Sequence, residues 1–93
     1  MSRPIDPFKV LLLNLSRGLR SKDVDALKYL ADLGDAVAED CDNGLDVFRV
    51  LERSGSIARN NVDFLKEFLT HIDRHDLISL IGIAYHTFYL LTK

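Results

Sequence analysis

Residues 64–77 read Phe64-Leu65-Lys66-Glu67-Phe68-Leu69-Thr70-His71-Ile72-Asp73-Arg74-His75-Asp76-Leu77, an apolar periodic segment, a polar break and a fresh apolar start. Val62, Leu65, Leu69 and Ile72 recur at the three- and four-residue spacing of one helical face, with Phe64 and Phe68 beside it. The spacing predicts a helix capped at Asn60 or Asn61, a turn at Asp73–Asp76, and a last helix from near Asp76 to Leu91.

The chain before this stretch reads the same way. Pro4 and Pro7 are the only prolines, and Pro7 suits the first position of a helix. Phe8, Leu11, Leu12, Leu15 and Leu19 form its apolar stripe, which predicts a helix over 7–19. Ser21 is the expected cap of a second helix, with Asp23 and Asp25 in the first turn, where the helix dipole favours acids. Val24, Leu27, Leu30 and Ala31 make its inner face, Tyr29 falls outside it, and Gly34 is expected to end it. Residues 35–43 hold at most a weak turn near Val37. Gly44–Arg53 is a further helix, with Leu45, Phe48 and Leu51 inward and Gly55 as its stop. No alternating strand pattern competes, so the expected architecture is all-α, an antiparallel six-helix bundle with a short or weak third helix.

At 93 residues the chain is expected to form a single domain over 1–93. Hydrophobic residues at 47% and charged residues at 28% are a globular mixture, which argues against disorder. A net charge of −2 disfavours nucleic-acid binding through a general phosphate field. The N-terminus lacks a signal-peptide core, and the apolar stretch from Leu77 to Leu91 falls short of a membrane span. With one cysteine, Cys41, these features point to a cytoplasmic protein.

Catalytic and metal signatures are missing from the sequence. His71 and His75 are four apart but straddle the helix junction, so they read as surface histidines and not as metal ligands. The run Glu39–Gly44 resembles a calcium loop until its twelfth position, where Val50 supplies no carboxylate. Cys41 sits among acids, which disfavour a thiolate nucleophile. The expectation is no enzyme, no metal and no cofactor. Charge is more informative: Arg3, Lys9, Arg17, Arg20 and Lys22 face only Asp6 within residues 1–22, whereas residues 32–46 carry six acids and no base. Opposite patches on one small bundle suit head-to-tail contact. The last helix is also apolar around too much of its circumference. Ile78, Tyr85 and Tyr89 form a stripe beside the core face, with Ile83 and Leu90 on a third side.

Asp73-Arg74-His75-Asp76-Leu77 resembles the RxDL motif of death effector domains, six-helix bundles of the death-fold type. Phe8-Lys9-Val10-Leu11-Leu12, Asp23-Val24, Leu27-Lys28-Tyr29-Leu30 and Gly44-Leu45-Asp46-Val47-Phe48 fall in register with it, so the resemblance covers residues 7–81. It implies a charge triad of Asp23, Arg74 and Asp76, and a core position for Leu77. It also implies a hydrophobic interaction patch centred on Tyr29, with Leu13 and with Phe64 or Phe68. The implied function is homotypic binding that recruits adaptor or initiator-caspase death effector domains in apoptosis signalling, by asymmetric head-to-tail assembly. The alternatives are a decoy or capping inhibitor of such assemblies, or an unrelated structural bundle. The acidic stretch before the fourth helix departs from relatives that often carry basic residues there. The apolar excess beyond Leu80 leaves open a tandem neighbour, a homodimer through Ile78, Tyr85 and Tyr89, or an exchanged helix.

Overall fold

Asp6 opens the first helix, its Oδ1 accepting the Phe8 N–H at 2.9 Å while Pro7 occupies N1. In this computed structural model, which describes the backbone of residues 3–91 and the side chains of residues 3–86, the helices are α1 (Pro7–Gly18), α2 (Ser21–Leu30), α3 (Asp35–Asp40), α4 (Gly44–Arg53), α5 (Asp63–His71) and α6 (His75–Leu91). The chain is therefore a six-helix bundle whose third helix is short. Among the described residues the one extended pairing is a bridge between Ala58 and Asn61.

Helix α1 is the central element. It packs against α4 and α6, while α5 lies on α6 and α2 on α4. Phe8, Leu11, Leu12 and Leu15 are all buried, and they meet Leu27, Phe48, Leu65, Leu69 and Ile81 in one core. Burial on this scale is the main stabilising term, at about 1.5–3 kcal/mol for each large aliphatic or aromatic side chain. Helix α3 contributes no buried residue and is tied down at its end by buried Cys41.

Three helices end in the same way. After α2, α4 and α5 the chain takes one left-handed residue, at Asp32 (φ 55°), Gly55 (φ 81°) and Asp73 (φ 58°). The next N–H then reaches back five residues, as in Leu33 to the Lys28 carbonyl (3.3 Å), Ser56 to Leu51 (2.9 Å) and Arg74 to Leu69 (2.9 Å). This closes the last turn and satisfies carbonyls that a helix end leaves open.

Gly55 stops α4 as its position predicts, but Gly34 does not end α2. Aspartate tolerates the left-handed region, so Asp32 makes that turn earlier, and Gly34 (φ −63°) is the cap residue of α3. Two other caps differ from expectation. Arg20, not Ser21, precedes α2, its N–H donating to Asp23 Oδ2 at 3.0 Å, and Val62 precedes α5 in place of Asn60 or Asn61. Leu30, expected inside, is 42% exposed at the last residue of α2.

Candidate functional site

The left-handed turn at Asp73 aims Arg74 away from α5 and back across the bundle toward α2. Its Nη1 donates to Asp23 Oδ2 at 2.9 Å, while Nε and Nη2 donate to the two Asp76 oxygens at 3.1 and 3.0 Å. The guanidinium fork thus takes Asp76 in a two-point grip and keeps one donor for Asp23. The ends of this bridge differ in environment: the Asp23 side chain is 6% exposed and that of Asp76 63%. Asp23 Oδ2 also accepts the Arg20 N–H, so one carboxylate both starts α2 and receives Arg74. Arg74's hydrogen bonds hold the Asp76 carboxyl below the ordinary carboxylate range, and Asp76 in turn holds the guanidinium firmly charged.

Leu77, the apolar end of the same string, is buried under the last residue of α1. A Cβ on Gly18 would lie 2.6 Å from Leu77 Cδ2, so a larger residue there would force the Leu77 side chain to shift. His71 closes α5 and His75 opens α6, both exposed. Cys41 lines a cleft between α3 and α4 with Asp46 and Arg49. Burial first, and the Asp46 charge second, push its thiol above the ordinary value.

Tyr29 stands 84% exposed on α2, the most exposed large apolar side chain among the described residues. Beside it Leu30 and Phe64 border a cleft of about 230 Å³ between α2 and α5. Phe68 is a correction to the expected surface patch: it is 1% exposed and belongs to the core. Phe64 stacks over it with ring centroids 6.4 Å apart, so the outer ring shields the inner one. Leu13 is half-buried on α1.

The apolar excess of α6 divides between two sides of the helix among the described residues. Ile78 and Tyr85 pack as half-buried residues against the core, and the Tyr85 hydroxyl donates to the Arg59 carbonyl in the α4–α5 loop. The Tyr89 side chain lies outside the described residues. Ile83 is 64% exposed and joins Ile5, Val10, Leu11, Leu80 and Ala84 in an apolar groove of about 360 Å³ between α1 and α6. The exposed large apolar residues thus fall into two groups. Ile5, Val10 and Ile83 belong to the α1–α6 groove, the first two from the base-rich stretch 1–22, where Arg3 and Lys9 flank Ile5, and the third from α6. Tyr29 and Leu30 lie at the end of α2, between Lys28 and the acid-only stretch 32–46, and Val37 lies on α3 within that stretch.

Part of the charge asymmetry serves local structure. Lys9 pairs with Glu52 at 2.5 Å, and Asp46 and Asn43 accept backbone N–H groups at the start of α4. One polar contact had no signal in the sequence. The Arg59 guanidinium meets Asp6 Oδ1, joining the α4–α5 loop to the cap of α1 across 53 positions.

Residues 8–82 match the family model described as Death effector domain. The chain is 37% identical over 76 residues to the FAS-associated death domain protein of Mus musculus, an alignment that covers 80% of this chain and 37% of that protein. The protein of the same description from Homo sapiens is 34% identical over 76 residues, covering 80% of this chain and 36% of that one. Caspase-8 of Rattus norvegicus is 32% identical over 76 residues, 80% of this chain and 16% of that protein. The chain therefore spans little more than a third of the first two relatives' length.

Proposed function

The chain belongs to the death effector domain family, and we propose that it is a homotypic interaction module that recruits adaptor or initiator-caspase death effector domains in apoptosis signalling. Its proposed partners are the segments it resembles in the FAS-associated death domain protein and in caspase-8, together with further copies of itself. The proposed mechanism is recruitment: one docked module raises the local concentration of whatever is attached to the next.

The observation that carries the asymmetric form of this reading is the division of exposed apolar residues into two unlike groups, one in the α1–α6 groove bordered by Arg3 and Lys9, the other on α2 and α3 next to the acid-only stretch 32–46. Two different surfaces that complement each other join heterologously, and such contacts extend without closing unless the rotation brings the ends together. Tyr29 and Leu30 of one copy enter the α1–α6 groove of the next, and the opposite charges steer and orient the encounter. The triad's part is to fix α2 against the α5–α6 junction, so that Tyr29 is presented from a rigid base. Leu13 on α1 is a further proposed contact.

The test uses two complementary variants. Tyr29→Asp removes the projecting surface and keeps the groove, whereas Ile83→Asp spoils the groove and keeps Tyr29. Sedimentation velocity should show each variant as a monomer and an equimolar mixture as a one-to-one dimer, because the mixture retains one intact interface. Self-association of either variant at the unmodified level, or a mixture that stays monomeric, refutes the asymmetric arrangement. Pull-down of the full-length adaptor tests recruitment separately: binding undiminished by both Tyr29→Asp and Leu13→Asp would overturn the patch. If the unmodified chain binds the adaptor or caspase partner, remains monomeric itself and shortens caspase assemblies, a capping inhibitor replaces the recruiter.

A further inference from the structure

The α4–α5 loop ends in a tight turn in which Ala58 and Asn61 exchange backbone hydrogen bonds of 3.0 and 2.9 Å, leaving Arg59 and Asn60 at its tip. Ile57 and Val62, both buried, anchor the turn on either side. From this fixed point Arg59 makes two contacts in different directions. Its guanidinium pairs with Asp6, the residue next to Ile5, and its carbonyl accepts the Tyr85 hydroxyl, next to Ala84 and two residues beyond Ile83. Ile5 and the pair Ile83–Ala84 are opposite walls of the α1–α6 groove.

We propose that this turn is a clasp that sets the shape of the groove, with Arg59 positioning its N-terminal wall and Tyr85 its α6 wall. The inference rests on the proposed docking role of the groove only for its effect on binding; the clasp itself stands on the contacts just described. Among the described side chains, half-buried Ala84 and Tyr85 pack against the core beyond Ile81. Asp6 Oδ1 is shared between the Phe8 N–H and Arg59, so the α1 cap survives loss of Arg59 while Ile5 is released. One loop therefore contacts the supports of both walls, at Asp6 and at Tyr85. Since each contact is exposed, its worth is positional more than energetic.

Tyr85→Phe removes one hydroxyl and keeps the ring. Hydrogen exchange followed by mass spectrometry should show amides 82–91 exchanging about two- to tenfold faster, the range for loss of one hydrogen bond, with residues 8–15 unchanged. The binding arm places Tyr85→Phe in either member of the complementary pair. Affinity should fall by a similar factor when the substitution is in the Tyr29→Asp chain, which supplies the groove. It should not change when the substitution is in the Ile83→Asp chain. Arg59→Ala in the groove-bearing chain should weaken the pair likewise while leaving exchange at 82–91 as it was. Unchanged exchange at 82–91 in Tyr85→Phe overturns the clasp. Faster exchange with equal affinity in both placements overturns its control of the groove. If the unmodified pair never dimerises, the docking reading fails and exchange alone decides the clasp.

Discussion

Replacing Arg74 with methionine tests how the triad works, because the substitution keeps most of the aliphatic stem and removes the charge. The loss is concentrated at Asp23, whose side chain is 6% exposed and receives Nη1 at 2.9 Å. A hydrogen bond to a charged group contributes about 1.5–3 kcal/mol, and breaking a fully buried ion pair costs about 3–5 kcal/mol. Asp23 keeps the Arg20 N–H at 3.0 Å and the exposed Arg20 guanidinium at 3.7 Å, which place this site at the low end. The expected loss is about 2 kcal/mol, or roughly 8–16 °C in Tm for a domain of this size. Urea unfolding followed by far-ultraviolet circular dichroism measures it, provided the m value stays constant. Asp76→Asn should produce a far smaller shift, since that carboxylate lies in water. The reasoning is refuted if Arg74→Met loses less than about 0.5 kcal/mol, or if Asp76→Asn matches it.

Acid should act through Asp6 and Asp76. The Phe8 N–H, with help from Arg59, lowers the folded pKa of Asp6, and the Arg74 hydrogen bonds lower that of Asp76, both from an ordinary 3.8. Lowered folded values mean that their contribution is complete above the unfolded pKa and disappears as pH falls through the folded ones. Urea midpoints should stay level from neutral pH to mild acid, then decline, and Asp6→Asn with Asp76→Asn should flatten that decline. Gly55→Ala puts a Cβ at φ 81° and should cost about 1–2 kcal/mol, whereas Asp73→Gly relaxes φ 58° and should raise the urea midpoint slightly. Cys41, buried and with its thiol pushed upward, should react with a disulfide reagent orders of magnitude more slowly in the folded chain than in urea.

Periodicity made most of the helices legible, because Phe8, Leu11, Leu12 and Leu15 have no other way to share a face. It could not say how far a neighbour wraps around a stripe. Phe64 and Phe68 both lie beside the α5 stripe and both line the α2–α5 cleft, yet Phe64 is half-buried and Phe68 belongs to the core. Leu30 fits the α2 stripe but stands at the helix end, where no partner covers it. The turn residues show a different limit. Gly34 is the expected stop by composition, but Asp32 reached the left-handed region first. Resemblance to a motif singled out Asp23, Arg74 and Asp76. The half-burial of Tyr85 was not legible because its hydroxyl reaches the Arg59 carbonyl, 26 positions away, a contact that leaves no local pattern.

The distances along the chain at which these bonds form have a consequence for the lifetime of the fold. The helix-ending bonds span five residues, whereas Asp23 and Arg74 are 51 apart and must wait for the bundle to close. Interactions completed after the folding transition state leave the folding rate nearly alone and slow unfolding. Chevron analysis of Arg74→Met should then place the change on the unfolding limb. The charge triad at the α5–α6 junction would act less on how fast a chain becomes competent to bind than on how long it stays so.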